Sequence, residues 1–161
     1  SGEHLTGFTE GRPLFVRTPD STFSLENVIR SLLFSSLCAL RVGLDVLTKE
    51  EHVRVKEIRG HGGFFKRGTT GQRIMAAATN TPVSLPATAG EGGAWGMALL
   101  AAYLVRDRKD QSLADFLDNL IRDSIGEPVQ PDPRDVAGFE AYFNRYLQCL
   151  GIEREAVKAL R

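Results

Sequence analysis

The sequence contains few of the features that would mark several specialised classes of protein. Its only two cysteines, Cys38 and Cys149, form no CxxC pair, which argues against a zinc knuckle or a disulfide framework and leaves a single bridge between them open. Twenty basic and twenty acidic residues cancel, so the chain lacks the positive excess typical of proteins that bind nucleic acids or anionic membranes. We therefore expect neither kind of partner.

Signals for secretion and membrane insertion are also missing from the sequence. We find no apolar run of the roughly 18–20 residues that cross a bilayer. The first residues lack the basic start and apolar core of a signal peptide. We therefore expect a cytoplasmic protein. The segment Ser1–His4 has no initiator methionine and reads as the middle of a chain, so we expect a cloning or proteolytic boundary there.

The hydrophobic pattern of the first third predicts a long helix. The chain has 161 residues, of which 42% are hydrophobic, as expected for one globular domain. Leu14-Phe15-Val16 predicts a short strand. From Leu25 to Leu47 leucine and other apolar residues recur at helical spacing, and Ser24 is placed to cap the helix. Small residues lie between them, so we expect burial on more than one side, against a sheet and another helix.

Strand and helix patterns alternate in the middle of the chain. The sequence predicts a strand at 54–59, a helix at 70–79, a short strand at 81–85 and a helix at 94–105. Pro82 indicates a strand start or a sheet edge. This order is typical of an α/β layer architecture. After a proline-rich break at 128–133 the chain is polar and helical, so we expect a core at about 1–110 and a helical tail at about 111–161.

Glycine-rich segments follow both predicted strands of the middle region. The segment Gly60–Gly71 lies between a strand and a helix, where backbone N–H groups and the positive end of a helix dipole can converge on a phosphate. The other interpretation, which stays open on composition alone, is a turn in which glycine only relieves the backbone. Two familiar nucleotide motifs fail. Thr69 occupies the lysine position of a P-loop, and Trp95 replaces the last glycine of a dinucleotide fingerprint.

Taken together, these segments resemble the FGGY carbohydrate kinases. Residues 55–83, with His61–Lys66 and Gln72–Ala78, resemble the adenosine-binding segment of that family. Glu91–Ala102 resembles its next signature, an acidic residue followed by Ala-x-Gly-x-Ala and an apolar helix. The long helix at the start and the Pro131–Pro133 tail are also similar, so the resemblance covers nearly the whole chain. It is closest to kinases of the L-ribulokinase and xylulokinase type.

The resemblance implies an α/β fold that is part of an actin-like, ribonuclease-H-like ATPase domain, with a mixed sheet flanked by helices. ATP and a sugar meet in the cleft of such an enzyme, and Mg²⁺ assists phosphoryl transfer. Gly62 and Gly63 would approach the α-phosphate and ribose, and Phe64 and Phe65 would line the nucleotide side of the loop. Lys66 would pair with phosphate unless it is simply solvated. Gln72 would lie near adenine.

The resemblance also implies what this chain does not contain. The catalytic aspartate of the family comes from an earlier segment with no match here, and Asp20 and Asp45 are expected to be surface charges. We assign His61 to loop geometry. No catalytic residue is therefore expected in this chain, which would need the missing N-terminal part of the enzyme. Two alternative functions remain open: a non-catalytic actin-like regulator or scaffold, and a kinase for another polyol such as glycerol or gluconate. A homodimer is also an open expectation.

Overall fold

The structure, a computed structural model, describes residues 4–66, 69–107, 110–121 and 125–160. Within these ranges the chain forms helices and two short strands: α1 Leu25–Asp45, β1 Ile58–Arg59, α2 Thr70–Thr79, β2 Val83–Ser84, α3 Gly92–Val105, α4 Leu113–Ile121 and α5 Pro133–Ala159. A π-helical turn, Val46–Glu50, continues α1, and short 3-10 turns cover His4–Thr6, Gly63–Phe65 and Ala89–Glu91.

The chain divides into two compact units. The first comprises Ser1–Val55, Ala77–Asn80 and Asp132–Arg161, and the second comprises Lys56–Ala76 and Thr81–Pro131. The first unit therefore joins the beginning of the chain to its last helix, and the second holds both strands and both glycine-rich segments.

Helix α1 begins as the sequence predicts. The Ser24 hydroxyl accepts a hydrogen bond from the backbone N–H of Asn27 at 3.3 Å, which satisfies one of the donors at the helix start. The pKa of the Glu26 carboxyl in the first turn is lowered by a hydrogen bond with its own backbone and by one from Ser24. The predicted cap is thus confirmed, and Glu26 adds an acidic residue where the helix dipole favours one.

Helices α1 and α5 pack through an aromatic cluster. The Phe34 ring meets Phe139 and Tyr142 edge-on, with ring centroids 5.2 and 5.4 Å apart. The Tyr142 hydroxyl donates to the Ser31 carbonyl at 3.0 Å. Burial of this hydroxyl raises its pKa, and the remaining influences are smaller. Cys38 lies buried on this side of α1, and it and Cys149 are both free thiols.

Arg41 connects three segments of the first unit. Its guanidinium binds Asp45 Oδ1 at 2.8 Å, Glu140 Oε1 at 2.5 Å and the carbonyl oxygen of Ala78 at 2.9 Å. It also lies over the Phe143 ring, 5.3 Å from its centroid. Burial works to lower the pKa of Arg41, but the hydrogen bonds and charges of the two carboxylates raise it overall. The planar guanidinium, with its several donors, suits such a junction.

Two expectations for the first third of the chain were wrong. Leu14-Phe15-Val16 forms no strand, and its side chains are exposed. Helix α1 packs against α5 and against the turn His4–Thr6, and within the described structure it still leaves an apolar stripe exposed, consisting of Leu25, Ile29, Leu32 and Leu40. Local apolar spacing predicted the helix correctly but not how much of its surface the described residues cover.

The expectation about membrane-spanning stretches also requires a correction. Among the residues that the structure describes, the stretch Leu25–Glu50 is long and apolar enough to cross a membrane, judged by length and composition only. This finding corrects the expectation that the sequence holds no apolar stretch long enough to cross a bilayer. The core helix of a soluble protein and a signal sequence satisfy the same criterion, so this stretch alone is weak evidence for a span.

In the second unit, β1 and β2 pair in parallel. Ile58 lies opposite Val83 and Arg59 opposite Ser84, and Val83 also pairs antiparallel with Val129 on its other side. The strand predicted at 54–59 is confirmed only for its last two residues. Pro82, at the start of β2, has no N–H to donate, so the ladder begins where Ile58 donates to the Pro82 carbonyl at 2.9 Å. The Pro82 position at a strand start is confirmed.

A small core forms on this sheet. Phe65, Ala76 and Val83 are buried together, and partly buried Ile58, Phe64, Met75 and Leu85 pack against them. Helix α2 has the predicted bounds and contributes Ala76 to this core. Helix α3 is apolar on all sides, yet Leu99 is its one buried residue within the described structure.

Candidate functional site

Two glycine loops lie side by side at the carboxyl ends of the parallel strands. The first glycine loop, Gly60–Lys66, follows β1. The second, Pro86–Glu91, follows β2, contains the start of the predicted glycine-rich segment Gly90–Gly93 and leads into α3, which begins at Gly92. The backbone N–H of Gly62 donates to the carbonyl oxygen of Ala89 at 2.7 Å and joins the two loops directly. Ligands of open α/β sheets bind at this edge, outside the carboxyl ends of the strands. The topology therefore brings both predicted glycine segments to one place.

The first loop presents bare backbone at Gly62 and Gly63. Gly62 has φ of +99°, a conformation that side-chain-bearing residues rarely adopt. Gly63 starts the 3-10 turn that follows, in which Phe65 and Lys66 donate to the carbonyls of Gly62 and Gly63 at 3.1 and 3.2 Å. A Cβ atom built on either glycine would meet nothing within 4 Å. Both glycines thus leave space that a ligand could enter.

The two phenylalanines of the loop face the core rather than a nucleotide. Phe65, which we expected to line the nucleotide side of the loop, is only 8% exposed and belongs to the hydrophobic cluster. Phe64 is half-buried, packs against the same cluster and meets the Phe65 ring edge-on at 5.3 Å. The two-stranded sheet offers little apolar surface of its own, and the rings of Phe64 and Phe65 supply part of the apolar surface that the core buries.

Gln72 also serves the fold. It is buried, and its Nε2 donates to the Val83 carbonyl at 3.1 Å, which ties α2 to β2. We expected this side chain near adenine, but the structure gives it a place inside the unit. A buried amide needs such a partner because an unsatisfied polar group costs about 1–3 kcal/mol.

Lys66 lies at the surface and reaches across to the second loop. Its ammonium binds Glu91 Oε1 at 3.1 Å, and both side chains are more than half exposed. The sequence pointed to Lys66 and to the acidic residue separately, without pairing them. The sequence signal for this contact is a lysine and a glutamate, of opposite charge, in two loops that follow neighbouring strands.

His61 and Gly92 form a second contact between the loop and α3. A Cβ at Gly92 would lie 2.6 Å from His61 Nδ1 and 2.8 Å from His61 Cβ, so this position has room for glycine alone. His61 itself is exposed. Sequence reasoning placed Gly92 only inside a motif and did not detect this close approach, which no local pattern encodes. The assignment of His61 to loop geometry agrees with its packing on the helix start.

The part of the chain that the structure describes contains no group of three His, Cys, Asp or Glu side chains able to hold a metal ion. The ionisable groups at the two loops are His61, Lys66 and Glu91. The Lys66 ammonium, together with the open space over Gly62 and Gly63, suits a phosphate better than a cation.

Comparison with known families gives one finding. A family model described as the C-terminal domain of the FGGY family of carbohydrate kinases matches residues 1–105 of the 161. The matched region runs through both glycine loops and through α3. No curated protein sequence matches the chain.

Proposed function

The chain belongs to the FGGY family of carbohydrate kinases, and on that basis we propose that it supplies part of the ATP site of a kinase that acts on a pentulose. Members of the family phosphorylate sugars with ATP and Mg²⁺. The choice of a pentulose such as L-ribulose or D-xylulose rests on the segments His61–Lys66 and Glu91–Gly96, which resemble those of L-ribulokinases and xylulokinases.

The observation that carries the proposal is the open backbone of Gly62 and Gly63 beside the second glycine loop. Glycine lets a phosphate approach the backbone without a side chain in the way. The Gly62 N–H already donates to the Ala89 carbonyl, so the donor that we propose for a phosphate oxygen is the N–H of Gly63. The position at the carboxyl edge of β1 and β2 supports a nucleotide there. Lys66 adds a positive charge that can reach a phosphate.

This chain's contribution to catalysis is to bind and orient. Phosphoryl transfer depends on positioning and on neutralising charge. We assign the positioning of the nucleotide to the first glycine loop and part of the charge neutralisation to Lys66. The aspartate base and the remaining ligands of Mg²⁺ are proposed to come from other segments of the enzyme. Phe64 and Phe65 support the loop from the core, and Gln72 ties α2 to β2 beneath it.

The proposal is tested with Gly63→Val in the complete kinase. The φ of Gly63 lies outside the left-handed region and a Cβ there meets nothing, so the variant should fold while its branched side chain fills the space over the loop. We expect the KM for ATP to rise at least about tenfold, a loss of about 1.4 kcal/mol of binding. The KM for the sugar should change little.

Gly138→Val in α5 is the matched control, because a Cβ at Gly138 also meets nothing within 4 Å. It should leave both Michaelis constants unchanged. An unaltered KM for ATP in folded Gly63→Val would refute the loop assignment. The sugar is tested separately, by comparing kcat/KM for L-ribulose, D-xylulose, glycerol and gluconate. A preference for either of the last two would refute the pentulose assignment alone.

A further inference from the structure

The geometry of the contact between Lys66 and Glu91 indicates a role beyond that of a surface ion pair. Glu91 stands at the N-cap position of α3, but its side chain makes no capping hydrogen bond. Its carboxylate turns instead to the Lys66 ammonium at 3.1 Å. The two residues come from different loops, 25 positions apart in the chain. The acidic group nearest the start of α3 is thus used to hold a lysine of the first loop.

The stem of Lys66 lies along the second loop. A Cβ at Gly90 would be 3.5 Å from Lys66 Cε and 3.7 Å from Lys66 Cγ, so the lysine chain passes over Gly90 on its way to Glu91. This places the ammonium beside the 3-10 turn Ala89–Glu91, whose Ala89 carbonyl already binds the Gly62 N–H. Lys66, Glu91 and the open glycines therefore belong to one surface.

We propose that Glu91 is a positioning residue that holds Lys66 in the nucleotide-free protein, and that the polyphosphate of the nucleotide replaces Glu91 as the partner of Lys66. This inference rests on the function proposed above. An ammonium has three donors, and a phosphate bearing several negative oxygens competes well with one carboxylate. The exchange lets Lys66 stay ordered over the loop without nucleotide and become available when nucleotide arrives.

The solvent exposure of the pair sets the size of the effect. Exposed ion pairs contribute little because water and salt screen them. Nucleotide therefore has to overcome only a weak competitor, and removing Glu91 should strengthen nucleotide binding by about two- to fivefold. Removing the Lys66 charge should weaken it by at least about threefold.

The experiment is a double-mutant cycle measured by calorimetric titration of the complete kinase with MgATP. The variants are Glu91→Gln, Lys66→Met and the two combined. If Glu91 acts through Lys66, Glu91→Gln strengthens MgATP binding in the wild-type background and has no effect beside Lys66→Met. If Glu91 simply repels phosphate, its removal helps equally in both backgrounds, and the proposal is overturned. Weaker binding by Glu91→Gln alone, as for a residue that helps bind Mg²⁺, also overturns it.

Two further measurements separate this inference from the function on which it rests. Mg²⁺-tripolyphosphate should respond to Glu91→Gln as MgATP does, whereas adenosine should not. Asp107→Asn is the matched charge control, because α3 has 14 residues and Asp107 lies beyond its far end, roughly 20 Å from Glu91. It should leave binding unchanged. If Gly63→Val abolishes nucleotide binding but Glu91→Gln has no effect, only the inference fails; if the wild type binds no nucleotide, both fail.

Discussion

Glycines in the first glycine loop and at the start of α2 differ in what surrounds their α-carbon. A Cβ at Gly60 would lie 2.5 Å from Phe65 Cζ and 2.7 Å from Leu85 Cδ2, and one at Gly71 would lie 2.6 Å from the Phe64 carbonyl oxygen. Gly62 and Gly63, by contrast, have open space. The first two glycines are needed for packing, and the other two leave room above the loop. The same residue type therefore serves the fold at one end of the loop and the proposed ligand at its middle.

Gly60→Ala and Gly63→Ala should separate these two roles by stability. The new methyl group at Gly60 must displace a buried ring, which costs about 1–3 kcal/mol. At Gly63 the methyl group meets nothing, and the unfolded chain loses freedom, so stability should stay level or rise by up to about 1 kcal/mol. Urea denaturation followed by circular dichroism measures both. Equal unfolding free energies for the two variants would contradict the packing role of Gly60.

Asp45 gives the first unit a stability that depends on pH. Burial raises the pKa of this carboxyl, but hydrogen bonds from Lys49 and Arg41 and the charges of those residues outweigh burial and lower it overall. A folded pKa below the unfolded value of about 3.9 means that the stabilisation is complete above that pH and is lost as the pH falls through the folded value. The charged form of Asp45 therefore favours the folded state at neutral pH.

Asp45→Asn should destabilise the protein by about 1 kcal/mol at neutral pH, since the pair with Arg41 is only partly exposed. The difference from wild type should shrink below about pH 4, where the wild-type carboxyl also becomes protonated. Denaturant melts across a pH series measure this. Glu155→Gln, which removes an exposed pair with Lys158, is the control and should change little at any pH. A difference that stays constant down to acid pH would contradict the assignment.

Among the elements, α3 shows how composition and burial can disagree. A helix that is apolar on every side is usually buried on every side. Within the described structure, however, α3 buries Leu99 and leaves its other large apolar side chains exposed: Trp95, Met97, Leu100, Leu104 and Val105. Exposed apolar surface of this extent is uncommon in a monomeric protein. Among the large aliphatic side chains of α3, Leu99 is therefore the one that contributes most to packing.

Leu99→Ala and Met97→Ala should therefore have unequal effects on stability. Leu99 is 7% exposed, and its truncation leaves a cavity that costs about 2–4 kcal/mol. Met97 is 69% exposed, and its truncation should change the unfolding free energy by no more than about 0.5 kcal/mol. Thermal and urea melts of this chain provide the comparison. A comparable loss from Met97→Ala would mean that this face is covered in solution.

Elements with local signals could be predicted, and elements that depend on distant partners could not. The cap at Ser24 and the bounds of α2 come from short-range chemistry and were found in the sequence. The predicted strand at 54–59 is limited to Ile58–Arg59 because Pro82, which directly precedes β2, has no N–H to donate. Leu14-Phe15-Val16 has apolar residues but no ladder partner within the described ranges. Apolar composition indicates what can form a strand, not what will pair with it.

At the scale of the molecule, contacts between residues far apart in the chain could not be predicted from the sequence. Phe34 packs on Phe139 and Tyr142, more than a hundred residues later, and Arg41 joins Asp45, Glu140 and Ala78. Periodicity gave each helix its apolar side but not its partner. The candidate site was predicted in part: the motifs located both loops, while the burial of Phe65 and Gln72 and the contact of Lys66 with Glu91 depend on the folded arrangement.

The last prediction concerns the affinity of this chain on its own. A micromolar nucleotide site requires about 8 kcal/mol of binding free energy. A few loop N–H groups contribute about 1 kcal/mol each, and the start of a helix adds about 0.3–1 kcal/mol. The 161-residue chain should therefore bind MgATP with a millimolar or weaker Kd and transfer no phosphate to sugar, because the other groups that grip the nucleotide are proposed to lie outside it. Calorimetric titration measures the Kd, and a coupled assay detects any product. A low-micromolar Kd would show that the two loops hold far more of the nucleotide than their backbone groups can account for.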